Sequence, residues 1–178
     1  MGQLPDFYPS PLPDPIRLFV AKRLTERLEG IATVNGYKHD LVDRVFRGRA
    51  LFGDGDPIPM ISILEVPIPV DQQATEGSDS KGDWELMIQG FAADDRDNPT
   101  DPAHLLLADV KKLLGLEKRE IDEWDKNGGG IFGLGGVVNK MYIGTGVVRP
   151  ADEISAKAYF WLTITLGIVE DLADPYNA

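Results

Sequence analysis

The most regular pattern in this 178-residue sequence lies near its C-terminal end. Between Lys157 and Ile168 every second residue is apolar, and the residues between are mostly threonine, tyrosine, tryptophan or glycine. Alternation with a period of two is typical of a β-strand that buries one face. The run predicts a long strand in the centre of a sheet, with these apolar residues on its buried face: Ala158, Phe160, Leu162, Ile164, Leu166 and Ile168.

Two other segments have the period of an α-helix. The Asp14-Pro15 pair predicts a helix start, because aspartate accepts backbone N–H groups at the N-cap and proline suits the first helical position. Apolar residues then recur at helical spacing over residues 16–28. The same signal recurs at Asp101-Pro102, and residues 103–114 follow helical spacing up to Gly115, which we expect to end the helix.

Further strands are predicted between and after these helices. Residues 41–47, 59–66 and 84–92 have short apolar runs with a period near two, and residues 141–148 form a similar run whose middle is weakened by two glycines. The resulting order is helix, three strands, helix, two strands. This order predicts the α+β class with a sheet of about five strands.

The remaining segments set the domain boundaries. Residues 1–13 contain four prolines in nine positions and favour an extended N-terminal arm, although an unfixed terminus is an equal alternative. Residues 14–170 form one predicted domain, with insertions at 71–83 and 117–139, and residues 171–178 form a C-terminal tail. A chain of this length needs only one hydrophobic core.

Charge and composition exclude several functional classes. The formal net charge is −11 and no cluster of lysine and arginine is present, which argues against tight nucleic-acid binding. The chain has no cysteine, so thiolate metal sites and disulfides are excluded. Its longest apolar run, residues 158–169, is shorter than the roughly 20 residues that span a bilayer, so we expect no membrane segment.

Motifs for catalysis are weak. The glycines between 128 and 136 lack the strand, lysine and helix that accompany a phosphate-binding loop. The acidic runs at 54–56 and 94–97 read as solvated turns, and His39 and His104 have no partner at metal-binding spacing. We therefore expect no catalytic residue, cofactor or metal, and a protein that is not an enzyme. A small metal-dependent or nucleotide-dependent enzyme is the less favoured alternative.

Contact surfaces offer a better candidate. Tyr159 and Trp161 lie on the second face of the last strand, where aromatic residues beside threonines are typical of a protein interface. The alternative is a second core layer beneath a helix. Ile131, Phe132 and Leu134 lie in a glycine-rich segment, and we expect a neighbouring subunit to bury them.

The order of elements resembles that of the lambda-like bacteriophage tail terminators. The similarity runs from about Pro15 to Val169 and rests on the first helix, the ISIL strand at residues 61–64, the WELMIQG strand at residues 84–90, the helix from Asp101 to Leu114, and the long last strand. This resemblance implies a mixed, largely antiparallel sheet with two main helices on one face. The N-terminal arm and the two insertions make this chain longer than the compact members of that family.

The resemblance also implies a function. Such a protein forms a hexameric ring in the virion, caps the head-proximal end of the tail tube, ends tube growth and offers a surface to the head-completion protein. It would assemble in the host cytoplasm, and genomic DNA would pass through its lumen without specific binding. An acidic lumen formed by Glu76, Asp79 and Asp83 is a further hypothesis. The alternative is another head–tail connector, such as a stopper or adaptor.

Overall fold

A computed structural model describes residues 4–67, 79–119, 129–153 and 155–178. The elements follow one another in the order helix, three strands, helix, three strands. Their bounds are α1 Ile16–Glu29, β1 Val45–Arg47, β2 Met60–Glu65, β3 Asp79–Ala92, α2 Asp101–Arg119, β4 Val138–Ile143, β5 Val147–Arg149 and β6 Ala158–Asp171.

The strands form one mixed sheet in the order β1, β2, β3, β6, with β4 and β5 both paired to the far side of β6. Only β1 and β2 are parallel, and all other pairs are antiparallel. The centre is the pair β3 and β6, whose register runs without interruption from Asp79 opposite Asp171 to Ala92 opposite Ala158. The predicted α+β class and largely antiparallel sheet are confirmed.

The described residues form six strands where about five were expected, because residues 141–148 do not form one strand. Gly144 donates its N–H to the carbonyl of Thr163, and a Cβ at this position would lie 2.8 Å from that oxygen. Gly146 then adopts a φ of 79°, a left-handed conformation that favours glycine. The two glycines therefore separate β4 from β5.

The core lies between the helices and one face of the sheet. The six alternating apolar residues of β6 all face it, as the sequence predicted, and each is at most 3% exposed. From β3 the core receives Trp84, Leu86 and Ile88, and from the helices it receives Val20, Leu24, Leu106 and Val110. Burial of this alternating set stabilises the sheet, because apolar area removed from water contributes about 25 cal/mol per Å².

The start of α1 differs from the prediction. Pro15 is the N-cap residue and makes no side-chain cap, so the expectation that Asp14 caps the helix is wrong. The Asp14 carboxylate instead accepts hydrogen bonds at 2.7 and 2.9 Å from the Lys22 ammonium, two turns into the helix. The N–H of Ile16 is taken by the carbonyl of Pro175, so the C-terminal tail satisfies a group that the cap was expected to satisfy.

The end of α2 also differs, because the helix continues through Gly115 to Arg119. Continuation brings Glu117 to a buried position where it contacts the segment that follows. Glycine costs a helix interior only about 1 kcal/mol, which such contacts offset.

Two predicted strand boundaries were wrong. The strand expected over 41–47 begins only at Val45, because Asp43 adopts a φ of 57° and turns the chain. The strand β3 begins at Asp79, so residues 79–83 belong to the sheet and not to the loop expected at 71–83. The rest of that expected loop lies outside the described residues, as do residues 120–128 of the second insertion.

Residues 4–13 do not project from the domain. Leu12 is buried and donates its N–H to the carbonyl of Tyr176, and the Ser10 hydroxyl donates to the Asn177 side chain. Tyr8 packs edge-on against Phe19 of α1, with ring centroids 5.4 Å apart. The described part of the N-terminal segment and the C-terminal tail therefore lie together on the domain.

Candidate functional site

The side of the sheet opposite the helices, here called the outer face, is the best candidate for a functional surface. Strand register defines its rows, because residues paired across strands share a face. The rows run from one end of the sheet to the other: Met60, Phe91 and Tyr159, then Ser62, Gln89, Trp161 and Val147, then Leu64, Met87 and Thr163, then Glu85, Thr165 and Tyr142, then Asp83, Gly167 and Lys140.

The first end of the outer face is covered by residues 49–59, which connect β1 to β2. Met60, Phe91 and Tyr159 form a second, smaller apolar cluster there, and Phe52 and Ile58 pack on it from the connection. The rings of Phe52 and Phe91 have centroids 4.5 Å apart. A second core layer therefore exists, as the alternative interpretation of Tyr159 and Trp161 expected, but a loop covers it and not a helix.

Polar contacts hold this connection in place. The Arg49 guanidinium forms an ion pair with Asp56 and stacks on the rings of Phe46 and Phe52, at 4.8 and 5.3 Å from their centroids. The Ser62 hydroxyl donates a 2.6 Å hydrogen bond to the Arg49 carbonyl. The N–H of Gly53 donates to Asp56, and this hydrogen bond, with the ion pair to Arg49, lowers the pKa of the Asp56 carboxyl.

Tyr159 is buried at the covered end of the outer face. Its ring is 1% exposed, and its hydroxyl donates a 2.9 Å hydrogen bond to Asp152. Burial and the neighbouring Asp152 carboxylate both raise the pKa of the tyrosine, so the phenol stays protonated. Tyr159 is therefore a core residue with a satisfied hydroxyl, and it is not available to a partner.

Trp161 marks the boundary at which the cover ends. Its side chain is half-buried and packs against Tyr159, with ring centroids 5.8 Å apart. Beyond it, Leu64, Met87, Thr163 and Thr165 are only partly buried. Tyr142 on β4 is 58% exposed. This open end combines apolar, aromatic and threonine side chains with one exposed carboxylate, Glu85, on a rigid sheet. Its apolar and aromatic groups are typical of protein interfaces.

The far end of the outer face is polar. Lys140 forms a 2.7 Å ion pair with Asp83 across the sheet, and its side chain crosses above Gly167, where a Cβ would lie 2.4 Å from the lysine Cγ. The hydrogen bond to Asp83 raises the pKa of the Lys140 ammonium. The negative charge of Asp83 is thus offset by a neighbour. Of the other two acidic residues in the lumen hypothesis, Asp79 is the first residue of β3 and Glu76 lies outside the described residues.

The glycine-rich segment does not form a surface. Ile131, Phe132 and Leu134 are fully buried in the chain's own core, so the expectation that a neighbouring subunit buries them is wrong. Positive φ angles at Gly130 and Phe132, 64° and 56°, turn the chain so that these side chains can be buried. They fold the segment into two short 3₁₀ turns whose apolar side chains point inward.

Distant charged groups hold this segment, and sequence analysis did not identify them. The Glu117 carboxylate, 5% exposed, accepts a 2.9 Å hydrogen bond from the N–H of Phe132 and lies 3.4 Å from Nε of Arg27. Arg23 donates to the carbonyl of Phe132. The N–H of Phe132 is therefore used internally and does not face a phosphate. The unexpected extension of α2 past Gly115 is the feature that places Glu117 here.

The acidic runs and one histidine are used in building turns. Asp95 accepts hydrogen bonds from the N–H groups of Asp97 and Asn98, and Asp94 accepts from Ala158. His39 contacts Asp109 at 2.8 Å. Among residues 4–67, 79–119, 129–153 and 155–178, no group of three histidine, aspartate or glutamate side chains is arranged to hold a metal ion. Over the same residues, no helix is long and apolar enough to cross a membrane.

The outer face thus has apolar, aromatic and threonine side chains in its middle rows and charged side chains at Glu85, Asp83 and Lys140. Comparison of the sequence with models of known protein families gives no match, and comparison with curated proteins gives none either.

Proposed function

We propose that this chain is a structural protein that assembles into a ring, and that the ring closes the head-proximal end of a bacteriophage tail tube. The observation that carries the proposal is the open end of the outer face, with Met87, Thr163 and Tyr142 at its centre. Antiparallel sheets often leave one face to solvent, but that face is then mainly polar. An apolar and aromatic face is explained better by contact with another molecule.

The requirements of a ring agree with this surface. A closed ring needs two different patches on each subunit, so that each copy contacts the next in the same way. A sheet face is rigid and supplies one such patch without a change in the fold. The resemblance of the element order to the tail terminators suggests the hexamer, the tail tube and the head-completion protein as the partners.

The acidic lumen remains a prediction of this proposal. A lumen of one charge sign lets DNA pass without adhesion, and the net charge of −11 suits it. Asp83 contributes less than expected, because Lys140 lies 2.7 Å away. Reversal of the charges at Glu76, Asp79 and Asp83 should slow DNA ejection and leave assembly unchanged. Ejection at the normal rate would contradict the lumen assignment.

The first test is the mass and shape of the purified protein, alone and with tail tubes, by light scattering and electron microscopy. We expect rings with sixfold symmetry bound at one end of each tube. Tubes made in the absence of the protein should reach uncontrolled lengths. A monomer that does not bind tubes would contradict the proposal. Tubes of normal length made without the protein would favour a stopper or adaptor.

A pair of variants tests whether the outer face makes the ring contact. Thr163→Glu places a charge at the centre of the open end, where it should abolish the ring and leave the subunit folded. Leu116→Glu on α2 is the matched control, because Leu116 is an exposed apolar residue on the opposite side of the molecule. Circular dichroism checks the fold of both. Rings of unchanged mass in the Thr163→Glu variant would exclude the outer face as the contact.

A further inference from the structure

Within the described residues, one strand of the sheet has a free edge beside an apolar groove. β1 pairs with β2 only over Ile61–Ile63, because Gly48 adopts a φ of 68° and the chain leaves the sheet there. Ile61 donates its N–H to the carbonyl of Arg44, and the carbonyl of Ile63 accepts from Gly48. These contacts show that the odd-numbered residues of β2 point their main-chain groups toward β1. Glu65, the next in that series, therefore presents its N–H and C=O where β1 has already departed.

A groove of about 360 Å³ lies between α1 and this end of β2. Its lining includes Leu18, Ala21, Ile63, Glu65, Trp84 and Leu86. The groove is on the helix side of the sheet, because Ile63, Trp84 and Leu86 belong to the main core face. Leu64 also contributes to the lining, so the groove adjoins the outer face at this edge of the sheet. Its volume falls in the range of roughly 300–1,000 Å³ that is typical of ligand pockets.

The wall of the groove contains a polar group without a partner. Trp84 is 2% exposed, and its indole nitrogen is buried with no hydrogen-bond partner in the described part of the chain. The Arg17 guanidinium stacks 5.4 Å from the ring centroid but gives the indole N–H no acceptor. Buried donors without acceptors are uncommon in folded proteins, and the Trp84 indole therefore serves as a distinct reporter of any group that binds in the groove beside it.

The rim of the groove contains one exposed cation, Arg47, in a chain whose net charge is −11. Arg17 and Arg47 line it together with the carboxylate of Glu65, and Arg17 is already paired with Glu170 at 3.0 Å. Arg47 is exposed and donates to the Thr25 hydroxyl, and over the described residues no carboxylate lies within 4.0 Å of its guanidinium nitrogens. An acidic side chain on a ligand would find an available cation here.

We propose that this groove binds an extended peptide segment of another protein by strand addition beside β2. The peptide main chain pairs with the N–H and C=O of Glu65, continuing the track that β1 leaves at Gly48. One large aliphatic side chain enters the groove between Leu18 and Leu86, and an acidic residue beside it faces Arg47. Main-chain pairing gives such complexes their affinity and the side-chain pocket gives their specificity. The site does not depend on the proposed ring.

The experiment uses the full chain and an acetylated, amidated pentapeptide with a central leucine, a valine on each side and an aspartate at each end. We expect saturable NMR shifts at the amides of Gly48 and Glu65 and at the indole N–H of Trp84. The same peptide with lysines in place of the aspartates should bind at least about tenfold more weakly, because lysine cannot pair with Arg47. The absence of peptide-induced shifts at these three groups would refute the site.

Two variants make the assignment specific. Leu18→Glu should weaken peptide binding by about tenfold or more, while Leu105→Glu, on α2, should change it by less than about twofold. Leu105 is a matched control for Leu18, because the two side chains are similarly exposed, Leu18 at 40% and Leu105 at 44%. Glu65→Pro removes the free edge N–H together with the carboxylate and should abolish binding without unfolding the protein, whereas Glu65→Gln, which removes the charge alone, should keep it. Equal binding by the Leu18→Glu variant would overturn the proposal.

Other occupants give different results. Without peptide, a melting temperature much lower for Leu18→Glu than for Leu105→Glu would mean that the chain fills the groove itself. A change in oligomeric mass for Leu18→Glu alone would mean that a second copy fills it. Either result would overturn the proposal of a partner peptide, and neither would affect the ring, which Thr163→Glu tests separately.

Discussion

At the scale of single residues, Gly90 shows how one position joins two strands. It lies opposite Phe160 in the central strand pair, and a Cβ added to it would be only 2.1 Å from Cε1 of that ring. The phenylalanine ring therefore occupies the space that any other residue at position 90 would need. Phe160 is fully buried, so its ring has little freedom to move aside.

Gly90→Ala should destabilise the protein by about 1–3 kcal/mol, because it overpacks the core against Phe160. Gly82→Ala is the control in the same strand, since nothing lies within 4 Å of its Cβ position, and it should change stability by less than about 0.5 kcal/mol. Urea denaturation measures both. Adding Phe160→Leu to Gly90→Ala should recover part of the loss, and strict additivity of the two changes would contradict the packing argument.

Asp56 gives a prediction about pH. Its folded-state pKa is lowered below the ordinary value of 3.8, chiefly by the hydrogen bond from Gly53 and also by Arg49. A lowered pKa means that the stabilisation is present above the ordinary pKa and is lost as the pH falls through the folded-state value. Asp56→Asn should therefore have a lower melting temperature than the wild type at about pH 7, and the difference should disappear by about pH 2.

Asp54→Asn is the matched control for that comparison. Asp54 lies in the same turn and makes no hydrogen bond or ion pair within the described part of the chain. Its replacement should leave the melting temperature unchanged at both pH values. A difference for Asp56→Asn that stays constant with pH would show that the carboxylate charge is not what holds the connection between β1 and β2.

At the scale of elements, the glycine-rich turns are held by α1 and α2 together. Glu117 binds the N–H of Phe132 and pairs with Arg27, so one carboxylate links both helices to the segment. Phe132 adopts a positive φ, which is unfavourable for a residue with a large side chain. The fold maintains that conformation because the ring is fully buried and both backbone groups of Phe132 have partners on the helices.

Glu117→Ala should cost about 2–4 kcal/mol, because it leaves Arg27 without its buried partner and Phe132 without an acceptor. Glu26→Ala is the control: its carboxylate pairs with Arg23, but it is 58% exposed, so the loss should stay below about 1 kcal/mol. Hydrogen exchange should show faster exchange in residues 129–137 for Glu117→Ala. Unchanged protection there would mean that Glu117 does not hold the segment.

At the scale of the whole molecule, the two faces of the sheet differ in how they are covered. The helix side contains the main core, and the outer face is closed by a loop at one end and open at the other. Leu162 and Thr163 are neighbours in β6 that point to opposite sides. Their replacement by charged residues separates the requirements of folding from those of the proposed assembly.

Leu162→Asp should prevent folding, since a core truncation alone costs roughly 2–5 kcal/mol and an unpaired buried charge adds to it. Thr163→Asp should remain soluble and folded, because its side chain faces the partly open outer face. Expression level, circular dichroism and thermal melting compare the two. A soluble, folded Leu162→Asp protein would contradict the placement of β6 at the centre of the core.

The sequence by itself determined both helices, the centre of the sheet and the α+β class. The reason is that β6 and α2 each bury one face along their whole length, so local periodicity reports burial directly. It also indicated the second layer around Tyr159, although not its cover. Short elements were less predictable, because the strand at 45–47 and the break between β4 and β5 depend on single positive φ angles at Asp43 and Gly146.

Only the tertiary structure determined which contacts the polar and glycine-rich segments make. Ile131, Phe132 and Leu134 looked exposed from their neighbours in sequence, yet Arg23, 109 positions from Phe132, and Glu117 on the extended α2 hold them inside. Asp14 does not cap α1 for a similar reason. Its carboxylate accepts from Lys22, and the carbonyl of Pro175 accepts the N–H of Ile16. Periodicity reports which face of an element is buried, whereas these outcomes depend on charges and carbonyl groups that approach from distant parts of the chain.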